Sequence, residues 1–238
     1  MDKADILAAY LTAFGTLALA FVAAFQDKIR AWLFHPQLTA SISVAPPDCH
    51  KTILNLANAG VVYAKIDCYY FRLRIKNSGN QRAELVEVFA SELLRQQADG
   101  SFLKVETFLP MNLLWTHIAR PFFDAISPGM EKHCDLGSII KPTDRFKLGA
   151  TEIPIDSKSD TPILSLALEV KPTSKSHLIN PGKYKLVLLI GAANAKPVSK
   201  TIEINLTGCW YDDESRMLRE GIGIRMIEPR GGLALPEA

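Results

Sequence analysis

Two short stretches of this sequence place groups with chemical potential side by side: Cys49-His50 and His133-Cys134-Asp135. A thiol, an imidazole and a carboxylate are what a cysteine nucleophile or a zinc site is built from. Neighbours on an extended strand point to opposite faces, so adjacency in sequence works against a joint site. Convergence would require the loop after Val44 to fold near a strand over Glu131–Ile139. It would then gather Cys49, His50, His133 and Cys134 as a Cys₂His₂ metal set. No C-x-x-C or H-x₃-H spacing supports this. The plainer expectation is two surface histidines and two buried or half-buried cysteines.

Other reactive patterns are missing from the sequence. "IPIDSKSDTP" offers Asp156, Ser157, Ser159 and Asp160 as hard oxygen ligands, but not the acidic spacing, central Gly and closing Glu of a calcium loop. No Walker A sequence, no G-x-G-x-x-G after a strand and no G-x-S-x-G occurs. Catalytic residues and a cofactor are therefore not expected. The formal charge of +2 over 238 residues gives no phosphate-binding surface, and nucleic acid is not an expected partner. The densest basic stretch, Arg72, Arg74 and Lys76, alternates with apolar residues and reads as the solvated face of a strand.

The candidate for contact with a partner is Phe108–Gly129. It carries Met111, Leu113, Trp115, Phe122 and Phe123, interrupted by Pro110, Pro121 and Pro128. Those prolines argue against regular structure. The segment then either buries itself over an open end of the domain or presents an apolar patch to a protein or a bilayer.

Strands must position all of these residues. "LTASISV" alternates Leu38, Ala40, Ile42 and Val44 with polar residues. In "YYFRLRIKN", Tyr69, Phe71, Leu73 and Ile75 form one face, and the strand ends in the turn residues of "NSGNQ". Ala83–Gln96 has helix formers but lies between two turn signals and carries Val86, Val88 and Phe89, so a strand is expected. Asp99-Gly100 marks the next hairpin. Further strands are expected over "EKHCDLGSI", over "ILSLALEVK" with Leu164, Leu166, Leu168 and Val170 inward, and over "GKYKLVLLIG" and "SKTIEINLTG". His50–Lys65 has no firm pattern. About eight strands separated by Gly, Pro and Asn turns predict a mainly β protein, an antiparallel sandwich. "DDESRMLREGI" predicts one short helix, with Asp212 and Asp213 at its start and Met217 and Leu218 toward the sandwich.

Ahead of the strands, Ile6–Phe25 runs without a charge, long enough for a helix to cross a ~30 Å bilayer core. A cleaved signal would need a basic start and a shorter apolar run. Lys28, Arg30 and Trp32 follow as expected at a headgroup boundary, and Pro36 stops the helix. The layout is then an anchor with its juxtamembrane helix over 1–36, a β-sandwich over 37–210, and a helix with a flexible tail over 211–238. Lys28 and Arg30 outnumber Lys3, so the positive-inside rule places the large domain in the cytoplasm.

"FRLRIKNSGNQRAELVEV" resembles the Asn-x-Gly hairpin of CARDB-type immunoglobulin-like domains, with Asn77, Gly79 and Ala83 at the matching positions. The match covers about one hairpin. The span, the sandwich and the "GCWYDD" ending together are similar to bacterial membrane-anchored proteins. That resemblance implies an immunoglobulin-like fold, the bacterial inner membrane, and a role in adhesion, spacing or binding. Secreted members of the family lie outside the cell, whereas the charge count here points inward.

The expected function is a single-pass, non-catalytic module that binds the bilayer through Ile6–Phe25 and holds a protein partner there. One alternative is an oligomeric membrane effector that self-associates through its span, with Tyr10 and Thr12 at helix contacts. The other is a metal- or cysteine-dependent hydrolase.

Overall fold

A computed structural model describes residues 3–148 and 161–227, with the side chains of 3, 5, 27 and 29–32 outside the described set. Asp156, Ser157, Ser159 and Asp160 and the tail after Ile227 fall outside it.

The first element is helix α1, Lys3–Leu33. Within it Ile6–Gln26 is 21 residues long, apolar enough to cross a membrane, and buried nowhere against the rest of the protein. A helix that is apolar all round and touches no core has to find its apolar surroundings elsewhere. Thr12 and Thr16 donate their hydroxyls to carbonyls one turn back, at 2.9 Å each. Those polar groups are thus satisfied inside a single helix.

The remaining chain is mainly β, arranged as two antiparallel sheets. One sheet runs β1 (Leu38–Ser41), β3 (Val61–Asn77), β9 (Glu131–Ile140), β10 (Leu164–Leu166) and β11 (Leu178–Ile179). In it β2 (Cys49–Asn58) pairs with β3, and β7 (Leu114–Trp115) pairs with β9. The other runs β14 (Ile222–Ile227), β13 (Ala195–Leu206), β12 (Gly182–Ala192), β4 (Ala83–Gln96) and β5 (Phe102–Lys104). There β6 (Met111–Asn112) and β8 (Phe122–Ile126) also pair with β4.

Period-two patterning builds the core between the sheets. Tyr69, Phe71, Leu73 and Ile75 of β3 meet Val86, Val88 and Ala90 of β4, Leu186, Leu188 and Ile190 of β12, and Ile202 and Ile204 of β13. All of these are buried to 0% exposure, so the alternation in the sequence is the burial pattern.

The structure extends or corrects four expectations. His50–Lys65, which has no pattern, forms β2 and the start of β3, joined through Ala59-Gly60 at positive φ. This ribbon projects past the sandwich, with Ile53, Val61, Val62 and Tyr63 exposed. In the far half of β2 only Leu54 and Leu56 are half-buried, against Ile66, Cys68 and Ile140, which leaves a weak alternation to read. Between Tyr211 and Ile227 the chain forms more than the one expected helix. A helical turn, α2 (Glu214–Arg216), is capped by the Asp213 carboxylate and followed by one π turn. It buries Met217, and the chain returns as β14 on β13. "ILSLALEVK" is a strand only over Leu164–Leu166, and Val170 is 81% exposed. Finally, the proline-rich segment does contain strands, β6 to β8, each too short to need a proline-free run.

Candidate functional site

The structure separates the residues that were adjacent in sequence. On β9, Cys134 pairs with Leu73 and faces the core, while His133 pairs with Arg74 and faces outward. Cys49 and Cys134 are buried completely in the core. Burial pushes the Cys49 thiol up to about 12 and the Cys134 thiol well above its ordinary value, with Asp48 and Asp135 adding to the respective shifts. The Cys134 Sγ donates to the Leu114 carbonyl at 3.4 Å. Both thiols are held protonated among apolar neighbours, the opposite of an activated nucleophile. No group of three or more His, Cys, Asp and Glu able to hold a metal occurs among the described residues. Cys49, His50, His133 and Cys134 therefore do not form the Cys₂His₂ set.

His133 meets a residue that the sequence did not single out. Asp48, at the entry to β2, is 1% exposed. Its Oδ1 accepts from Arg74 Nη2 and lies against His133 Nε2, both at 3.0 Å, and its Oδ2 accepts from the Ser43 amide at 3.0 Å. Burial alone would raise this carboxyl, but the hydrogen bonds from Arg74, Ser43 and His133 outweigh it and leave its pKa below the ordinary value. One pair further along, Arg72 donates to Asp135 at 3.2 Å, and Thr116 donates to the same carboxylate at 2.7 Å. Arg72 and Arg74 thus form the half-buried side of an ion-pair ladder along β3, while Lys76 is exposed as expected.

The aromatic segment is a side wall. Met111, Leu113 and Trp115 lie in the core at 9%, 0% and 0% exposure, so they are not a partner surface. Between β6 and β8 the chain crosses from one sheet to the other and back. Leu113 donates its amide to Val88, Leu114 to Ala167, and the Trp115 indole N–H to the Val86 carbonyl at 3.1 Å. Trp115 and Phe123 pack with ring centroids 5.2 Å apart. Phe122 and Phe123 are half-buried.

The most fully built polar feature is where α1 joins the sandwich. The turn "NSGN", Asn77 to Asn80, grips the chain leaving the helix. Asn80 Nδ2 caps the Leu33 carbonyl at 2.8 Å, and its Oδ1 accepts from the His35 amide at 3.0 Å. Asn77 is 0% exposed. Its Oδ1 accepts from Gln37 and Gly79 amides at 3.1 and 3.0 Å, and its Nδ2 donates to Gln81 and Ile126 carbonyls at 2.7 and 2.9 Å. The Ser78 amide donates to the Gln37 carbonyl at 2.8 Å. Gly79 lets the two backbones touch. A Cβ there would overlap the His35 carbonyl oxygen and come 2.5 Å from the Gln37 nitrogen and 2.8 Å from the Pro36 carbonyl carbon. Of the expected interface residues, Lys28 is exposed, while the Arg30 and Trp32 side chains lie outside the described set.

No protein-family model matches the sequence, and no curated protein matches it.

Proposed function

We propose that the chain is a single-span membrane protein whose β domain holds a protein partner at the bilayer without catalysis. The carrying observation is the Asn77–Asn80 grip on Leu33–Gln37. A domain merely tethered to a membrane needs only a flexible linker. Here the anchor ends in hydrogen bonds to the Asn80 side chain and to the buried Asn77, which suits a module whose orientation to the bilayer matters. Sequestered, protonated thiols and paired carboxylates favour binding over covalent chemistry. The excess of Lys28 and Arg30 over Lys3 favours a cytoplasmic domain, and the hairpin resemblance favours a bacterial inner membrane.

Proximity labelling tests this reading, with an ATP-dependent biotin ligase fused after Ala238 in living cells. The expected result is biotin on a small, reproducible set of cytosolic proteins. That set should disappear when 1–36 is deleted and the domain leaves the membrane. No labelling by a well-expressed, membrane-inserted fusion would overturn the inward orientation. Labelling unchanged by release from the membrane would overturn the holding role.

A further inference from the structure

At the end of the sandwich away from the anchor, a cleft of about 280 Å³ opens between the sheets. It is bounded by β4 and β12 on one sheet and by β11 with the turn before it on the other. Its floor is apolar, made by Leu93, Phe108 and Ile179, which belong to the core. Its rim is polar, formed by Arg95, Thr107, Ser174, Lys175, Ser176 and Asn180, with Tyr184 alongside.

Among the described residues, every polar side chain on that rim can donate a hydrogen bond, and none that lines the cleft is a carboxylate. Arg95 is exposed and pairs with no carboxylate among the described residues, unlike Arg72, Arg74, Arg216, Arg219 and Arg225. It lies near enough to Tyr184 to work against the upward shift that burial gives the phenol. The rim turn is closed by Lys175, which adopts φ +58 and donates its amide to the Pro172 carbonyl. Between Ser176 and Leu178, both cleft residues, His177 is 0% exposed, and neither ring nitrogen has a hydrogen-bond partner. Burial, followed by the charges of Lys171 and Lys175, pushes that imidazole down to about 4. The opening thus carries the Arg95 guanidinium and several donor side chains over an apolar base.

We propose that this cleft binds a small organic oxyanion, a carboxylate or phosphate head on a compact apolar body, with Arg95 holding the head and Leu93, Phe108 and Ile179 receiving the body. Guanidinium is the side chain that pairs with such heads through two parallel N–H donors. The hydroxyls of Thr107 and Ser176 are placed around the same opening to take remaining lone pairs, Ser176 itself accepting from the Ser174 hydroxyl at 3.2 Å. This site would give the domain a small-molecule input separate from any partner it holds.

Isothermal titration of the full-length chain in a non-ionic detergent tests the proposal, using phenyl phosphate and benzoate as matched probes against sodium chloride at equal ionic strength. Saturable binding of either probe is expected, weakened about tenfold or more by Arg95→Gln. Which probe binds identifies the head group. Arg95 is exposed, so an unchanged melting temperature is expected to show that the variant is folded. The proposal is overturned if neither probe binds better than chloride, or if Arg95→Gln binds as tightly as the natural chain. Neither result bears on membrane anchoring or on partner labelling.

Discussion

Asp48 shows how one side chain sets the local chemistry. A carboxylate at 1% exposure keeps its charge because Arg74, the Ser43 amide and His133 surround it. Its folded-state pKa lies below the ordinary value of 3.8. The stabilisation it provides is therefore complete above that ordinary value and is lost as pH falls through the lower folded value. Asp48→Asn is expected to cost about 1–3 kcal/mol at neutral pH, since Arg74 is left without its buried partner. It should also flatten the fall in stability on acidification. Urea midpoints measured from about pH 7 down to about pH 3 check both, and an unchanged acid slope would remove Asp48 from the account. Asp48 was not legible in the sequence. Its role depends on Arg74 and His133, which lie 26 and 85 residues away, and no local spacing records them.

At the scale of elements, legibility followed burial. Ala83–Gln96 reads as a strand against its helix propensity because turns bracket it and Val86 and Val88 alternate inward, and it is β4. β2 was invisible because its far half buries little, with only Leu54 and Leu56 half-buried against the small cluster of Ile66, Cys68 and Ile140. The segment from Met111 to Phe123 misled for another reason. Its pairings are short runs lying between Pro110, Pro121 and Pro128, the chain visits both sheets, and Trp115 sinks into the core. The "NSGN" turn was recognised as a turn, but not as a grip, since its partners are 40–47 residues away. Asn77→Ala strands two amides and two carbonyls at once, and the expected cost is about 2–4 kcal/mol. Trp115→Ala should cost about 3–5 kcal/mol by leaving a large core cavity. Only the Asn77 change should also raise amide exchange at His35 and Gln37. Hydrogen exchange followed by mass spectrometry distinguishes the two, and equal protection of Leu33–Gln37 in both variants would sink the grip.

For the whole molecule, these elements make a body with two distinct ends. Asn77 and Met130 lie beside the helix exit, since their backbones bond each other at 3.0 Å. Val61 lies at the opposite end of the 17-residue β3, about 50 Å away at 3.3 Å per residue. Three of the four cysteines are fully buried, and Cys209 is exposed. In a Cys209→Ser background, Met130→Cys and Val61→Cys therefore each offer one accessible thiol for a fluorescent label. In vesicles carrying headgroup-quencher lipids, the label at 130 is expected to be quenched and the label at 61 to stay bright. Equal quenching at both positions would mean that the body lies flat on the bilayer. The sequence foretold the long apolar helix and the β class of the rest, because both follow from hydropathy and periodicity. It could not foretell the cleft, whose rim is assembled from residues between Arg95 and Tyr184.

The contact at Gly79 also has a mechanical meaning. With no room for even a methyl group between the turn and Pro36, the joint has little slack in which to bend. A sideways load on the far hairpin then acts through a rigid arm of about 50 Å, the span of β3. The torque is delivered to the end of the helix, and on the single-span reading proposed above Ile6–Gln26 must tilt or turn in response. On that reading, whatever pulls on the outer end of this protein is felt inside the bilayer.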